Sequence, residues 1–247
     1  MAEEDLRFAH ALADAADEVT TARFRALDLV VDTKPDLSPV SEADKRAEEV
    51  IRDAVRGSGR GEGVLGEEYG DDGGDVKWIV DPIDGTTNFV RGVPVWATLL
   101  ALEREGVVDL ALVSAPALGR RWWAIRGEGA FAEGERLAVS RVARIEDSAI
   151  STTSARRMPV GWNAIVQRAW SNRGLGDFWQ HCLVAEGSLD IACDSIMEIW
   201  DYSSVKLIVE EAGGRATTYE GETPASKKSF VTTNGLLHDE AVSLLGV

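Results

Sequence analysis

The chain has 247 residues, 45% of them apolar, which excludes a disordered chain and allows a substantial core in one unit or two closely joined subdomains. Its 42 acidic against 26 basic residues leave a formal charge of -16 with no Lys/Arg run to offset it, so neither nucleic acid nor anionic membrane is an expected partner. The longest apolar stretch, Val107 to Ala117, is broken by Asp109 and Ser114 and falls short of the roughly 20 residues a bilayer requires.

The N-terminal Met1-Ala2-Glu3-Glu4-Asp5 is acidic where a secretory leader would be basic, so a soluble cytoplasmic protein is expected. From Glu3 to Leu27, Leu6, Ala9, Ala13, Ala16, Val19 and Leu27 approximate a helical stripe. After a loop at Asp32 to Pro39, Ser41-Glu42-Ala43-Asp44 has the pattern of a capping box and opens a helix to about Val55, ended by Gly57 to Gly63. Short β-prone runs follow at 77–81, 96–102, 107–113 and 121–125 and predict a sheet in the first half. Beyond about residue 146 the pattern becomes strand 149–152, helix Asp177 to Ala185, strand Leu189 to Ala192, and helix Tyr202 to Ala212 stopped by Gly213-Gly214. A soft boundary thus divides an N-terminal α+β part, 1–145, from a C-terminal α/β part, 146–247. Cys182 and Cys193 form no CxxC pattern and have no histidines at zinc spacing, which predicts small buried hydrophobes.

The chemistry concentrates in Trp78-Ile-Val-Asp-Pro-Ile-Asp-Gly-Thr-Thr-Asn88, where two acids follow a short apolar strand and gain nothing for folding. Carboxylates and carbonyls are the hard ligands Mg²⁺ prefers, so Asp81 and Asp84, with the Ile83 carbonyl between them, could hold one or two such ions. Gly85 permits close backbone approach, and a helix opening at Thr86 to Phe89 would point free N–H groups at a phosphate. Glu67 and Glu68 follow the apolar pair Val64-Leu65, and Asp201 starts a helix, so acids from separated segments could meet. Each has an ordinary alternative: Asp44 and Asp201 as helix caps, Glu67 or Glu68 as turn surface. His10, His181 and His238 lie outside these motifs, which argues against a phosphohistidine enzyme; His181 is read as a packing or surface residue.

Two segments, Trp78 to Asn88 and Trp200-Asp-Tyr-Ser-Ser-Val-Lys-Leu-Ile-Val-Glu-Glu-Ala-Gly-Gly214, with Gly66-Glu67-Glu68 ahead of them, closely resemble the signatures of the inositol-monophosphatase superfamily of metal-dependent, lithium-sensitive phosphatases. The resemblance spans nearly the whole chain and implies a layered αβαβα fold, a homodimer, and two or three Mg²⁺ per site. Carried over by position, it makes Glu67, Asp81, the Ile83 carbonyl, Asp84 and Asp201 metal ligands, most of them in the N-terminal part. It makes Asp44 an acid that orders water, and Thr86 the hydroxyl that orients the attacking water with Glu67. The Gly85 and Thr86 amides become the phosphate cradle, and Asp84 and Asp201 lie close enough to the ester to count among its contacts. In-line displacement by water follows, with no covalent phosphoenzyme.

Arg173-Gly-Leu-Gly-Asp-Phe-Trp-Gln-His-Cys182 looks like the actinobacterial histidinol-phosphatase branch of that superfamily, as do Asp32 to Val40, Asn88 to Trp96 and Ala115 to Trp123. Histidinol phosphate carries an ammonium and an imidazole, and Asp177 could pair with either; capping its own helix is the alternative. Asp194 stands where the family usually has a Glu that contacts the substrate alcohol, and its reach is shorter. Arg173 matches a position at the substrate mouth or dimer interface, with an exposed ion pair as the alternative. Other readings are an inositol-1-phosphatase or broad sugar-phosphate phosphatase and, from a different class, a binding module for transcription or RNA-processing partners.

Overall fold

Apolar side chains on both faces of the central strands need cover on each side, and the computed structural model, which describes residues 2–35 and 37–246, supplies it in five layers. Met1 and Asp36, named above in the acidic start and in the Asp32–Pro39 loop, lie outside the described residues. The helices are α1 (Ala2–Arg23), α2 (Glu42–Gly57), α3 (Thr86–Arg91), α4 (Val160–Arg168), α5 (Asp177–Ala185), α6 (Ile199–Glu211) and α7 (His238–Leu245).

An eight-stranded sheet runs in the order 135–136, 129–132, 120–125, 107–115, 97–104, 76–84, 63–66 and 70–71, antiparallel except where Gly63–Gly66 meets Val76–Asp84. On its outer face α1 and α2 bury Leu12, Ala16, Ile51 and Val55 against Trp78, Val80, Leu100 and Leu112. Leu99 and Val113, of opposite parity, face the other way, onto α5 and α6. A five-stranded sheet, ordered 171–173, 149–152, 191–197, 228–233 and 215–217, takes the second side of these two helices through Ala192, Ala216 and Phe230. Its far face is closed by Trp162 and Ile165 of α4 and by Ala241 of α7 against Ile150, Ile191, Cys193 and Val231. The result is the αβαβα layering expected from the sequence. No helix among the described residues is long and apolar enough to cross a membrane, and both cysteines are buried and free.

Three boundaries differ from the pattern-based expectation. Helix α1 stops at Arg23 rather than reaching Leu27, because Phe24 turns away to pack its ring 5.5 Å from Phe89 and 5.4 Å from Trp96, leaving Leu27 exposed. The strand expected at Leu189–Ala192 spans Ile191–Met197, since Leu189 and Asp190 belong to the turn that leaves α5. Helix α6 begins at Ile199, a turn earlier than Tyr202, capped by Glu198.

One buried side chain ties the outer helices to the region of the acids. Glu48 of α2 accepts from Arg52 Nε at 2.8 Å, from the Glu68 amide at 2.7 Å and from the Tyr69 amide at 3.1 Å, pinning the turn that carries Glu67. Gly66 is required there, because a Cβ would collide with the Glu48 carboxylate. Glu48→Ala orphans two amides and part of Arg52, and should lower stability by about 3 kcal/mol or more in urea unfolding. A loss under about 1 kcal/mol would mean that the turn holds itself.

Candidate metal centre and substrate cleft

The strand Val76–Asp84 keeps its ladder with 97–104 through Asp81 and then slips register before Asp84, an irregularity that changes how its last residues are presented. Beyond it Gly85 takes φ +83°, and a Cβ there would stand 3.0 Å from the Val95 carbonyl and 3.3 Å from Asp177 Oδ2. Glycine thus admits the sharp exit from strand to α3. From the other half of the chain, α6 delivers Asp201. The carboxylates of Asp81, Asp84 and Asp201 each offer an oxygen, all within 4.8 Å of one another.

Each acid keeps one oxygen engaged. Asp81 Oδ1 accepts from the Ile83 amide at 2.9 Å, Asp84 Oδ2 from the Phe178 amide at 2.6 Å, and Asp201 Oδ2 from the Glu198 amide at 2.7 Å. Asp201 therefore completes a capping box and still belongs to the cluster; the two readings of this residue coexist. Burial, reinforced by Glu67, Asp84, Asp201 and Asp44, holds the Asp81 carboxyl well above the usual range. Burial likewise raises Asp84, with Asp177 and Asp201 adding to it, and pushes Asp201 up to about 7. Mutually repelling buried carboxylates with only oxygen donors fit a hard divalent cation.

Glu67 and Asp44 flank the cluster. Lys34 Nζ reaches Glu67 at 2.6 Å and Glu68 at 2.7 Å, placing an ammonium beside the acids. Asp44 is fully buried, its Oδ2 accepting from the Ser41 amide at 2.8 Å and its Oδ1 lying 3.0 Å from Thr86 Oγ1. Burial raises its pKa. Thr86 Oγ1 also lies 3.0 Å from the Ile83 carbonyl. The acid in hydrogen-bond contact with Thr86 is Asp44, whereas Glu67 is held by Lys34.

Asp177 is the first residue of α5, but Gly176 occupies the cap position, and the Asp177 carboxylate accepts from Asn88 Nδ2 at 2.9 Å instead of capping its helix. Its backbone is left-handed at φ +48°, and its amide donates to Thr153 Oγ1 at 2.8 Å. Burial, then Asp194, pushes its pKa up to about 7. It lines a cleft of about 610 Å³ with Thr87, Asn88, Thr153, Arg156 and Arg157. Asp194 Oδ2 accepts from Gln180 Nε2 at 2.5 Å and lies 3.0 Å from His181 Nε2. Arg173, in contrast, stays exposed on the edge strand and donates to the Asn172 carbonyl at 2.9 Å, with no contact to the acids among the described residues. Lys34, Asn88, Thr153 and Gln180 had no role assigned from sequence; Asn88 closes the Trp78–Asn88 motif, the one signal that could have drawn attention to it.

Acids gathered from strand end and helix start, beside a glycine-led helix on an αβαβα frame, define a metal-assisted phosphatase. The chain belongs to the inositol monophosphatase family, whose pattern matches residues 1–245. It is 48% identical to a histidinol-phosphatase from Mycobacterium tuberculosis, with 99% of both chains covered. It is 45% identical to one from Streptomyces coelicolor, covering 98% of this chain and 97% of that one. The solved structure of an IMPase from Thermotoga maritima superposes with a TM-score of 0.91 at 33% identity, covering 100% of this chain and 97% of that one.

The raised carboxyl of Asp201 sets a pH dependence. The folded chain keeps a proton there up to about 7 while the unfolded chain releases it near the ordinary value, so stability falls as pH rises through this window. A divalent cation binds the ionised form, so adding Mg²⁺ should raise the melting midpoint more at about pH 8 than at about pH 5.5. Equal shifts at both values in calorimetry would remove the carboxylates from the binding site.

Proposed function

We propose that this chain is a Mg²⁺-dependent histidinol-phosphatase, releasing L-histidinol and phosphate as a step of histidine biosynthesis. Supporting the hydrolytic part is the convergence of the Asp81, Asp84 and Asp201 oxygens within 4.8 Å. Glu67, Asp81, the Ile83 carbonyl, Asp84 and Asp201 would hold two or three ions, which when bound would neutralise the phosphoryl oxygens and acidify the attacking water. Thr86 Oγ1 orients that water, and Asp44, raised by burial and hydrogen-bonded to Thr86, is suited to receive its proton. The Gly85 and Thr86 amides at the head of α3 cradle the phosphate.

For the substrate, the supporting observation is that Asp177 directs its carboxylate across to Asn88 rather than onto its own helix, with Asp194 near enough to raise its pKa. Two neighbouring carboxylates suit a cationic alcohol better than a polyol. The two actinobacterial relatives are histidinol-phosphatases, which agrees with this reading. A cytoplasmic, homodimeric state with no nucleic-acid partner belongs to the same reading, consistent with free buried thiols and a charge of -16. Phosphate release from histidinol phosphate should exceed that from inositol 1-phosphate and vanish with EDTA; a preference for the inositol ester would overturn the substrate assignment.

Asp81→Asn should abolish turnover and, without Mg²⁺, leave the fold equally or more stable, because a buried repulsion is relieved. Full activity in this variant would remove Asp81 from the mechanism. Asp177→Asn tolerates the left-handed backbone and deletes only the charge. It should slow histidinol phosphate hydrolysis by about tenfold or more and barely alter that of glycerol 2-phosphate. Equal losses on both esters would make Asp177 structural.

A further inference from the structure

His181 is fully buried on α5, with its ring centroid 5.0 Å from that of Phe230. Its Nδ1 lies 2.7 Å from Thr232 Oγ1, and its Nε2 lies 3.0 Å from Asp194 Oδ2. A carboxylate oxygen in hydrogen-bond contact with a ring nitrogen accepts from it, so Nε2 donates to Asp194, while Nδ1 pairs with the Thr232 hydroxyl. Thr232, on the neighbouring strand, holds the orientation of the ring.

Gln180 supplies the second donor. Its Nε2 lies 2.5 Å from the same Asp194 oxygen, while its own Oε1 is buried without a hydrogen-bond partner among the described residues. The amide gives up an acceptor in order to present its N–H to Asp194, an arrangement with no benefit to the core. Both donors fall on Oδ2, leaving Oδ1 for another partner. Asp194 adds to the repulsion felt by Asp84, Asp177 and Asp201, so an unsupported carboxylate here would turn away from them.

We propose that His181, oriented by Thr232 and assisted by Gln180, is a positioning residue that holds the short Asp194 side chain in one orientation against the non-phosphate end of the substrate. This rests on the reading above that Asp194 contacts the substrate alcohol. Asp194 is one methylene shorter than the glutamate that the resemblance leads one to expect here, and two donors behind its carboxylate hold it in place.

The test compares KM and kcat in Mg²⁺-loaded enzyme, using whichever ester the wild type prefers among histidinol phosphate, inositol 1-phosphate and glycerol 2-phosphate. Failure of the histidinol phosphate assignment therefore changes the ester and leaves the test intact. His181→Phe keeps a ring against Phe230 and should raise KM about tenfold with kcat within about twofold. His181→Gln, which can place an N–H near the position of Nε2, should restore most of the loss. In an Asp194→Ala background, His181→Phe should change KM by less than about twofold, because the residue it acts through is gone. A folded His181→Phe with wild-type KM, or a full tenfold loss persisting in Asp194→Ala, would overturn the proposal. Should His181→Phe fail to fold, Thr232→Val carries the test: about a threefold rise in KM supports the chain of contacts, and an unchanged KM refutes it.

Discussion

Repulsion among buried carboxylates is the constraint on which the rest of this structure depends. Asp81, Asp84 and Asp201 stand within 4.8 Å of one another, with Glu67, Asp44, Asp177 and Asp194 adding to the same field. Nothing in folding rewards such a concentration of charge, and a protein of marginal stability holds it only if the surrounding scaffold over-determines each side chain. The scaffold does so with backbone amides: Ile83, Phe178 and Glu198 each donate to one acid.

The same logic reaches outward. Glu48 fixes the turn carrying Glu67, and Gly66 exists to admit Glu48. Ser41 holds Asp44 through both its amide and its hydroxyl. The helix starts of α2 and α6 thus serve twice, each cap acid satisfying an orphan amide with one oxygen and keeping the other for the site. Evidence that a residue caps a helix is therefore no evidence against its taking part in chemistry.

What could be read in the sequence follows from range. The acids stood out because Asp81 and Asp84 close an apolar strand with charges that do nothing to stabilise it; the long helices and the strands of the first half followed from helical and alternating periods that local chain geometry imposes, whereas the layer order came only with the resemblance of the two signature segments. Helix α4, the strand Lys228–Thr233 and helix α7 escaped notice because these short elements draw their order from tertiary packing, through residues such as Trp162, Val231 and Ala241. Lys34 meets Glu67 across 33 residues and His181 meets Asp194 across 13, separations that leave no periodic trace. Capping and packing were reasonable local readings of Asp177 and His181; contacts with Asn88 and Asp194 lie beyond local reasoning.

The helical layer of α5 and α6 lies between the two sheets, and its apolar residues belong to one continuous core with both: Phe178, Val205 and Ile208 share it with Leu99 and Val113 on one side and with Ala192 and Phe230 on the other. Neither sheet can lose its inner cover without exposing the inner face of its counterpart. Melting is accordingly concerted across the molecule, and partial opening is confined to the outer layers, α1 and α2 or α4 and α7, which each cover a single sheet. The innermost helices, which carry Asp177 and Asp201, sit in the last part of the protein to come apart.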